Sequence, residues 1–358
     1  MTVTTAGTSP PPTAAPAPNA LQAAIRRIAF GESLDADVAA EAFGTVMRGE
    51  ATAAQIAALL IGLRVKGETA EEVTGAARAL RGAMVRLPVA KVEDLVDTCG
   101  TGGGAVPTFN ISTAAALLAA GAGVRIAKHG NRSFTTQSGS ADVLEQLGIT
   151  LDAPVELMAR SLDEAGIAFM FAPAMHPAMR HVGPVRRELG VPTVMNIVGP
   201  LANPAGVARQ VVGVAERGRM PLLAGALAAL GASHAIVVHG APGMDEISPI
   251  STTLVSEVRD GAVTDWTIDP ADYGFTGFAP SDLAGGSPGE NARLIVDVLE
   301  GRGRPAPTAA VVLNAAGALY VAPGSRSFAE CVAAAAAALA NGAGRAALDR
   351  MRRAYGTG

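Results

Sequence analysis

The sequence predicts an α/β protein, with a small all-α unit at the N-terminus and a larger α/β domain on a mostly parallel central sheet. Three observations predict it. Up to about Leu87, apolar residues recur only at helical spacing. After Pro88, short β-like runs alternate with alanine-rich helical stretches, the order that gives parallel strands covered by helices on both faces. Finally, 49% of the 358 residues are hydrophobic and 17% are charged, so a sizeable core can be buried. Aromatics are only 4%, so that core is built from small, closely packed helices.

Residues 1–18 are Thr/Ala/Pro-rich without a charged side chain, and we expect a disordered tail there. They lack the basic start and leucine-like core of a signal peptide and the arginines of a transit peptide. Residues 19–88 form the helical unit. Leu21, Ala24, Ile25 and Ile28 make one stripe, and Val38, Ala42, Phe43, Val46 and Met47 another. Thr52 with Gln55, and Thr69 with Glu72, are capping boxes that open two further helices. The stretch from about 173 to 192 reads as helix between prolines and is expected to pack back on this unit.

Residues 89–358 carry the strand–helix alternation. Strands are expected at Leu95–Thr98, Val124–Ala127, Ala168–Phe171, Ala235–Val238, Leu254–Val258 and Ala310–Leu313. Helices are expected at Ser112–Gly121, Met220–Leu230 and Phe328–Ala340. No solenoid-like repeat is present.

The net charge of −4, without a Lys/Arg block, argues against nucleic acid as a partner. It says nothing against a phosphorylated small molecule, which a few aimed N–H groups, a cation and a metal can hold. Cys99 and Cys331 make neither a disulfide framework nor a zinc site. Gly, Pro and charges interrupt every apolar run before it reaches the length of a membrane span. We expect a cytoplasmic protein with no membrane partner.

Three constellations carry chemistry. Asp97–Ala105 (DTCGTGGGA) follows a strand, and its three consecutive glycines let backbone N–H groups close on an anion. It lacks the Gly-Lys-Ser/Thr of a P-loop and the downstream acid of a dinucleotide fingerprint. A tight strand-to-loop turn explains the glycines equally well. Next, Thr108–Thr113 (TFNIST) opens an apolar helix whose free N–H groups attract anions, although N-capping accounts for one of its three polar side chains.

The second constellation, Lys128–Ser140 (KHGNRSFTTQSGS), gathers two cations, an imidazole and hydroxyls after a strand, a donor set suited to a polyanion. The third, Asp245-Glu246, places adjacent acids after a strand, as Mg²⁺ bridging phosphate oxygens requires. Adjacent acids on a surface turn are also common. His181, His234 and His239 are read as structural, and Met175 and Met179 as packing.

With these motifs in order, the chain resembles anthranilate phosphoribosyltransferases from about residue 20 to the end. The resemblance rests on GTGG at Gly100–Gly103, NIST at Asn110–Thr113, KHGNRS at Lys128–Ser133 and SGSADVLE at Ser138–Glu145. It continues through HPAMRHVGPVRRELG at His176–Gly190, NIVGPLANPA at Asn196–Ala205 and DEIS at Asp245–Ser248. It implies a nucleoside-phosphorylase-like transferase architecture and a homodimer through the helical domain.

The resemblance also implies the site. Gly100, Gly103, Gly104, Thr108, Asn110, Ile111, Ser112, Thr113, Lys128, His129, Gly130, Asn131, Arg132, Ser133, Phe134, Thr135, Thr136 and Ser140 would hold phosphoribosyl diphosphate. Gly100, Asn131, His176, Arg186, Gly199 and Pro200 would form the anthranilate side, with Arg186 meeting the carboxylate. Ser112, Asp245 and Glu246 would serve Mg²⁺, and Lys128 and His129 would be the catalytic pair. The family's glycine motif usually ends in aspartate, whereas this chain has Gly104. Phosphorolysis of a pyrimidine nucleoside and a non-catalytic nucleic-acid-binding relative are the alternatives on the same architecture.

Overall fold

The computed structural model describes residues 19–133, 137–324 and 326–356. The expected tail over 1–18 lies outside them, as do Phe134, Thr135 and Thr136.

Four helices come first: α1 (Ala20–Ala29), α2 (Ala36–Met47), α3 (Ala53–Lys66) and α4 (Ala70–Gly82). Capping boxes start three of them, at Asn19/Gln22, Thr52/Gln55 and Thr69/Glu72. Glu72 is also a buried tie. Its Oε1 accepts from Leu34 N at 2.9 Å, and its Oε2 accepts from Thr69 N and from Lys66 Nζ at 3.0 Å. One carboxylate thus joins the start of α4 to the α1–α2 connection, which is why it can be buried without an energetic orphan.

The α/β part runs β1 (Leu95–Gly100), α5 (Ile111–Gly121), β2 (Arg125–Gly130), α6 (Ser140–Gln146), α7 (Val155–Ala165) and β3 (Ile167–Phe171). Short helices α8 (Ala172–Met175), α9 (Gly183–Leu189) and α10 (Met195–Val198) follow. The chain continues through β4 (Arg209–Gly213), α11 (Met220–Ala229), β5 (His234–Gly240), β6 (Thr253–Arg259) and β7 (Ala262–Ile268). Helices α12 (Pro288–Leu299), α13 (Pro305–Val321), α14 (Phe328–Ala340) and α15 (Ala343–Ala354) close it.

The sheet order is β3-β2-β1-β4-β5-β6-β7. The pairs from β3 through β5 are parallel; β6 and β7 are antiparallel additions. Alternate strand residues feed two cores, because successive side chains point to opposite faces. Val211, Ile236 and Val238 join α5, α13 and α15 on one face. Val212, Val237 and Val258 join α11 and the N-terminal helices on the other. Val182 and Val185, around α9, belong to this second core, so the segment near 173–192 packs with the helices of residues 20–82.

One strand reading needs correction, and two strands went unread. Ala310–Leu313 lies inside α13 and is helical. Nearly every side of α13 is buried, so no polar stripe reveals its period, and a short apolar run then looks like a strand. The strands β4 and β7 are absent from the sequence expectation. β4 begins with Arg209 and Gln210, and β7 is an edge strand exposed over most of its length, so neither shows a clean apolar run.

From β1 the chain builds outward through β2 to β3, then returns to place β4 on the other side of β1. Ligands of open α/β sheets sit at the carboxyl ends beside such a reversal. The motifs read from the sequence lie at this end.

Candidate active site

The strands around the reversal end in glycine: Gly100 on β1, Gly130 on β2, Gly213 on β4 and Gly240 on β5. Each lets another segment cross where a side chain would stand. A Cβ on Gly100 would lie 2.5 Å from Asp245 Oδ2, and one on Gly213 only 1.6 Å from Asp245 O. A Cβ on Gly240 would meet Glu246 O at 2.7 Å, and one on Gly130 would meet Ser140 Oγ at 2.5 Å. The loop bearing Asp245 and Glu246 therefore folds back over the ends of β1, β4 and β5.

In the glycine run, Gly102 and Gly103 have φ of 72° and 78°, the left-handed region that other residues rarely enter. Consecutive N–H groups in such turns form an anion-binding concavity. Gly102 N donates to Asp245 Oδ2 at 2.8 Å, and Ala105 N donates to Gly243 O at 2.8 Å, so this loop and the acidic loop brace each other. Gly103 is exposed and Gly104 half-buried. A Cβ on Gly104 would come within 3.0 Å of Gly243 O and 3.3 Å of Asp245 Oδ1, so glycine permits the close approach of the two loops.

Asp245 and Glu246 share a small cleft with Thr98, Cys99, Ser112 and Asn314. Thr108 Oγ1 donates to Glu246 Oε1 at 3.4 Å, and Glu246 Oε2 is buried with no hydrogen-bond partner among the described residues. Burial, then the neighbouring Asp245 charge, pushes the Glu246 carboxyl well above its usual range, and burial pushes Asp245 up too. Two adjacent carboxyls with an orphaned oxygen, and with no ion pair to either among the described residues, are short of positive charge. That donor set fits Mg²⁺, which takes one or two protein carboxylates and fills its shell with water and phosphate oxygens. Among the described residues, no group of three or more His, Cys, Asp and Glu forms an all-protein cage.

Lys128 is not at the surface of its loop. It is buried on β2, with Nζ donating to Thr98 O at 2.5 Å and to Ser112 Oγ at 3.3 Å. Burial pushes its ammonium down, opposed mainly by the charge of Asp97. Asp97 in turn is fully buried, accepting from His129 N at 3.2 Å and from Asn203 Nδ2 at 2.7 Å. Lys128 is thus a fixed positive charge beneath Ser112 and the acidic loop, not a mobile arm. Cys99 stays a thiol, since burial pushes it far up.

The start of α5 is tied rather than open. Asn110 makes no N-cap bond; its Nδ2 donates to Ser138 O at 3.0 Å, and its Oδ1 accepts from Ser138 Oγ and Asn291 Nδ2. The Ile111 side chain belongs to the main core, and the Thr113 hydroxyl is buried without a partner. Asn131 Oδ1 accepts from Arg132 N at 2.7 Å. The Arg132 guanidinium is engaged by Asp142 at 2.8 Å and Glu145 at 3.0 Å. Ser133 N donates to Asp142 Oδ2 at 3.1 Å, and Ser140 is the first residue of α6.

On the helical side of the crevice, His129 and His176 meet edge to face with ring centroids 4.9 Å apart. Burial and the neighbouring His176 hold His129 down at about 3, and burial holds His176 at about 4, so both rings are neutral near pH 7. His129 Nε2 is buried with no hydrogen-bond partner among the described residues. Arg186 on α9 is partly buried, its guanidinium pushed down by burial, with no acid against it among the described residues. Gly199 and Pro200 open a 3-10 turn held by Gln210 Nε2 donating to Pro200 O at 2.8 Å. Arg81 Nε holds the same turn at Leu201 O at 2.6 Å.

Sequence reasoning missed the supporting residues. Asn203 bridges Asp97 and Ala127 O, and Asn314 takes both the N–H and the carbonyl of Ile247, holding the acidic loop. Their signal was a buried-type position filled by asparagine, in NPA at Asn203 and in the alanine-rich α13 at Asn314.

The glycosyl transferase family's α/β domain matches residues 92–345, and that family's helical bundle domain matches residues 22–84. An anthranilate phosphoribosyltransferase of Rubrobacter xylanophilus is 51% identical over 335 residues, covering 93% of this chain and 97% of that one. The crystal structure of the Thermus thermophilus enzyme superposes with a TM-score of 0.87 at 40% identity, covering 93% and 99% of the two chains. The Saccharomyces cerevisiae enzyme, solved in complex with phosphoribosyl diphosphate and Mg, gives a TM-score of 0.86 at 26% identity over 94% and 98%. With its glycine loop, acidic pair and neutral histidine pair set at the sheet reversal of this architecture, the chain belongs to the anthranilate phosphoribosyltransferase family.

Proposed function

We propose how the residues of this chain divide the work of the family's reaction. That reaction moves the phosphoribosyl group of 5-phosphoribosyl 1-diphosphate to the amine of anthranilate in tryptophan biosynthesis, releasing pyrophosphate. The C1′–O bond to diphosphate breaks with its electron pair leaving on pyrophosphate. The amine nitrogen forms the new bond to C1′ and gives up a proton to the departing pyrophosphate or to water.

The observation that carries the assignment is the acidic loop folded across Gly100 and Gly213, which brings Asp245 against the glycine run and Glu246 to Thr108. Asp245 and Glu246, with Ser112 beside them, are assigned to Mg²⁺, which when bound supplies charge neutralisation for the departing diphosphate. Gly100 and the backbone N–H groups of Gly103 and Gly104, with Thr108, Asn110, Ile111, Ser112 and Thr113, are assigned to one wall of the donor site. Gly130 to Ser133 and Ser140 are assigned to the other. Lys128 contributes a preorganised charge from below, the kind of fixed electrostatics that needs no rearrangement as the leaving group gains charge.

Arg186 is assigned to the anthranilate carboxylate, with Asn131, His176, Gly199 and Pro200 around the ring. His129 offers a neutral nitrogen that can accept a hydrogen bond from the attacking amine. A group at about 3 is too weak a base to keep the proton, so its work is orientation. Rate then comes from placing amine and C1′ in line and from charge stabilisation. We also assign a homodimer through the helical domain, which carries the exposed Phe30 and Val65, and a cytoplasmic location.

The test is loss of anthranilate fluorescence on mixing with phosphoribosyl diphosphate and Mg²⁺. Turnover that stops with EDTA, and in Asp245→Asn/Glu246→Gln, supports the assignment. Turnover that survives both overturns the metal role of the acidic pair.

A further inference from the structure

The loop after β2 is pinched at its base. A Cβ on Gly139 would lie 2.4 Å from Ser133 N and 2.6 Å from Asn131 O, so residues 131–133 and 139 touch backbone to backbone. Asp142, in the first turn of α6, holds this pinch. Its Oδ2 accepts from Gly139 N at 2.9 Å and Ser133 N at 3.1 Å, while its Oδ1 takes Arg132 Nη1 at 2.8 Å.

Glu145, one turn further on, makes no backbone contact in this cluster. Among the described residues its carboxylate grips Arg132 alone, through Nη1 at 3.0 Å and Nη2 at 3.1 Å. The Arg132 guanidinium also lies over the Phe171 ring at 5.8 Å. Its side chain is 45% exposed and that of Glu145 is 50% exposed, whereas that of Asp142 is 18% exposed. A polyanion arriving at this loop must therefore compete with Glu145 for the planar fork of Arg132, which suits phosphate as well as carboxylate.

We propose that Asp142 and Glu145 are positioning residues of opposite sign for the donor: Asp142 pins the loop base, and Glu145 holds Arg132 back from the diphosphate. Glu145 then sets donor affinity. This rests on the assignment of Arg132 to the donor site.

The experiment measures KM and kcat for phosphoribosyl diphosphate, and calorimetric binding of Mg²⁺-pyrophosphate, in the full-length protein. Glu145→Gln breaks an exposed ion pair, so donor KM falls about two- to fivefold and pyrophosphate binds tighter by a similar factor. Asp142→Asn raises donor KM, and anthranilate KM moves with neither variant. Adding Arg132→Gln to Glu145→Gln removes the gain, because no fork is left to release. A Glu145→Gln variant with unchanged or raised donor KM overturns the competition, provided Arg132→Gln alone weakens the donor. If Arg132→Gln alone leaves donor KM and pyrophosphate binding unchanged, the donor-site assignment of Arg132 falls first and the proposal with it. Should Asp142→Asn fail to fold, the Glu145 and Arg132 variants still decide.

Discussion

Gly213 and Asp245 are in closer contact than any side chain at position 213 would allow, with Asp245 O 1.6 Å from where a Cβ would be. The end of β4 thus serves as the floor on which the acidic loop lies. Gly100 admits the Asp245 carboxyl in the same way from β1. Asp245 and Glu246 are held by backbone shape at the strand ends, and the glycine run follows on the same scaffold.

Gly213→Ala is the direct test of that floor. The obstacle is backbone, which cannot swing aside, so the loop must shift by more than an ångström. We expect folding to weaken by about 1–3 kcal/mol. Turnover should fall by at least about tenfold, since a misplacement of that size degrades positioning. Thermal melting and the Mg²⁺ dependence of turnover check it. An unchanged Mg²⁺ midpoint with normal turnover would show that the acidic loop does not depend on this contact.

Arg186→Gln should separate the two substrates. A partly buried guanidinium without an acid partner among the described residues is suited to an incoming carboxylate. A charge-assisted hydrogen bond is worth roughly 1.5–3 kcal/mol, so anthranilate KM should rise about ten- to a hundredfold. Donor KM should stay near its original value. An equal rise in both would place Arg186 in the general scaffold instead.

The local features of this molecule were legible because their causes are local. The boxes at Thr52/Gln55 and Thr69/Glu72 form as the spacing predicts, and Phe328–Ala340 is helical over that range. The glycine run and the acidic pair advertise themselves by composition. What could not be read were ties between distant residues. Asn110 meets Asn291 across 181 positions, and Asn203 meets Asp97 across 106, so neither partner can be read from the neighbouring residues. Lys128 illustrates the same limit. Its charge was visible, but its direction, down into the sheet toward Thr98, depends on β1 and α5.

Asn203→Ala should reveal how strongly the centre depends on such ties. Asn203 Nδ2 donates to both Asp97 Oδ2 and Ala127 O, all of them buried. Truncation leaves a buried carboxylate without one of its donors, which costs about 2–4 kcal/mol if no water enters. Chemical denaturation measures the loss. Asn203→Asp should be worse still, because it faces one buried carboxyl with another. Stability unchanged in both variants would mean that Asp97 is carried by Lys128 and His129 N alone.

Acid sensitivity follows from the histidine pair. Folding holds His129 at about 3 and His176 at about 4, against 6.5 for an exposed imidazole. The sign is fixed by which state binds protons first. Below 6.5 the unfolded chain takes up protons that these folded rings refuse, so their stabilising contribution is full above 6.5 and drains away as pH falls toward 4. Each tenfold weakening of proton binding is worth roughly 1.4 kcal/mol, so the pair should cost several kcal/mol by the lower end of that window. The melting temperature should therefore drop between pH 7 and pH 4.5, and His129→Asn should shrink the drop. Activity should behave differently from stability. Because neither ring titrates between pH 6 and 8, kcat should show no inflection there from this pair. A kcat inflection near pH 6.5 that His129→Asn abolishes would mean that the ring gains a proton during turnover, and orientation alone would then be the wrong role for it.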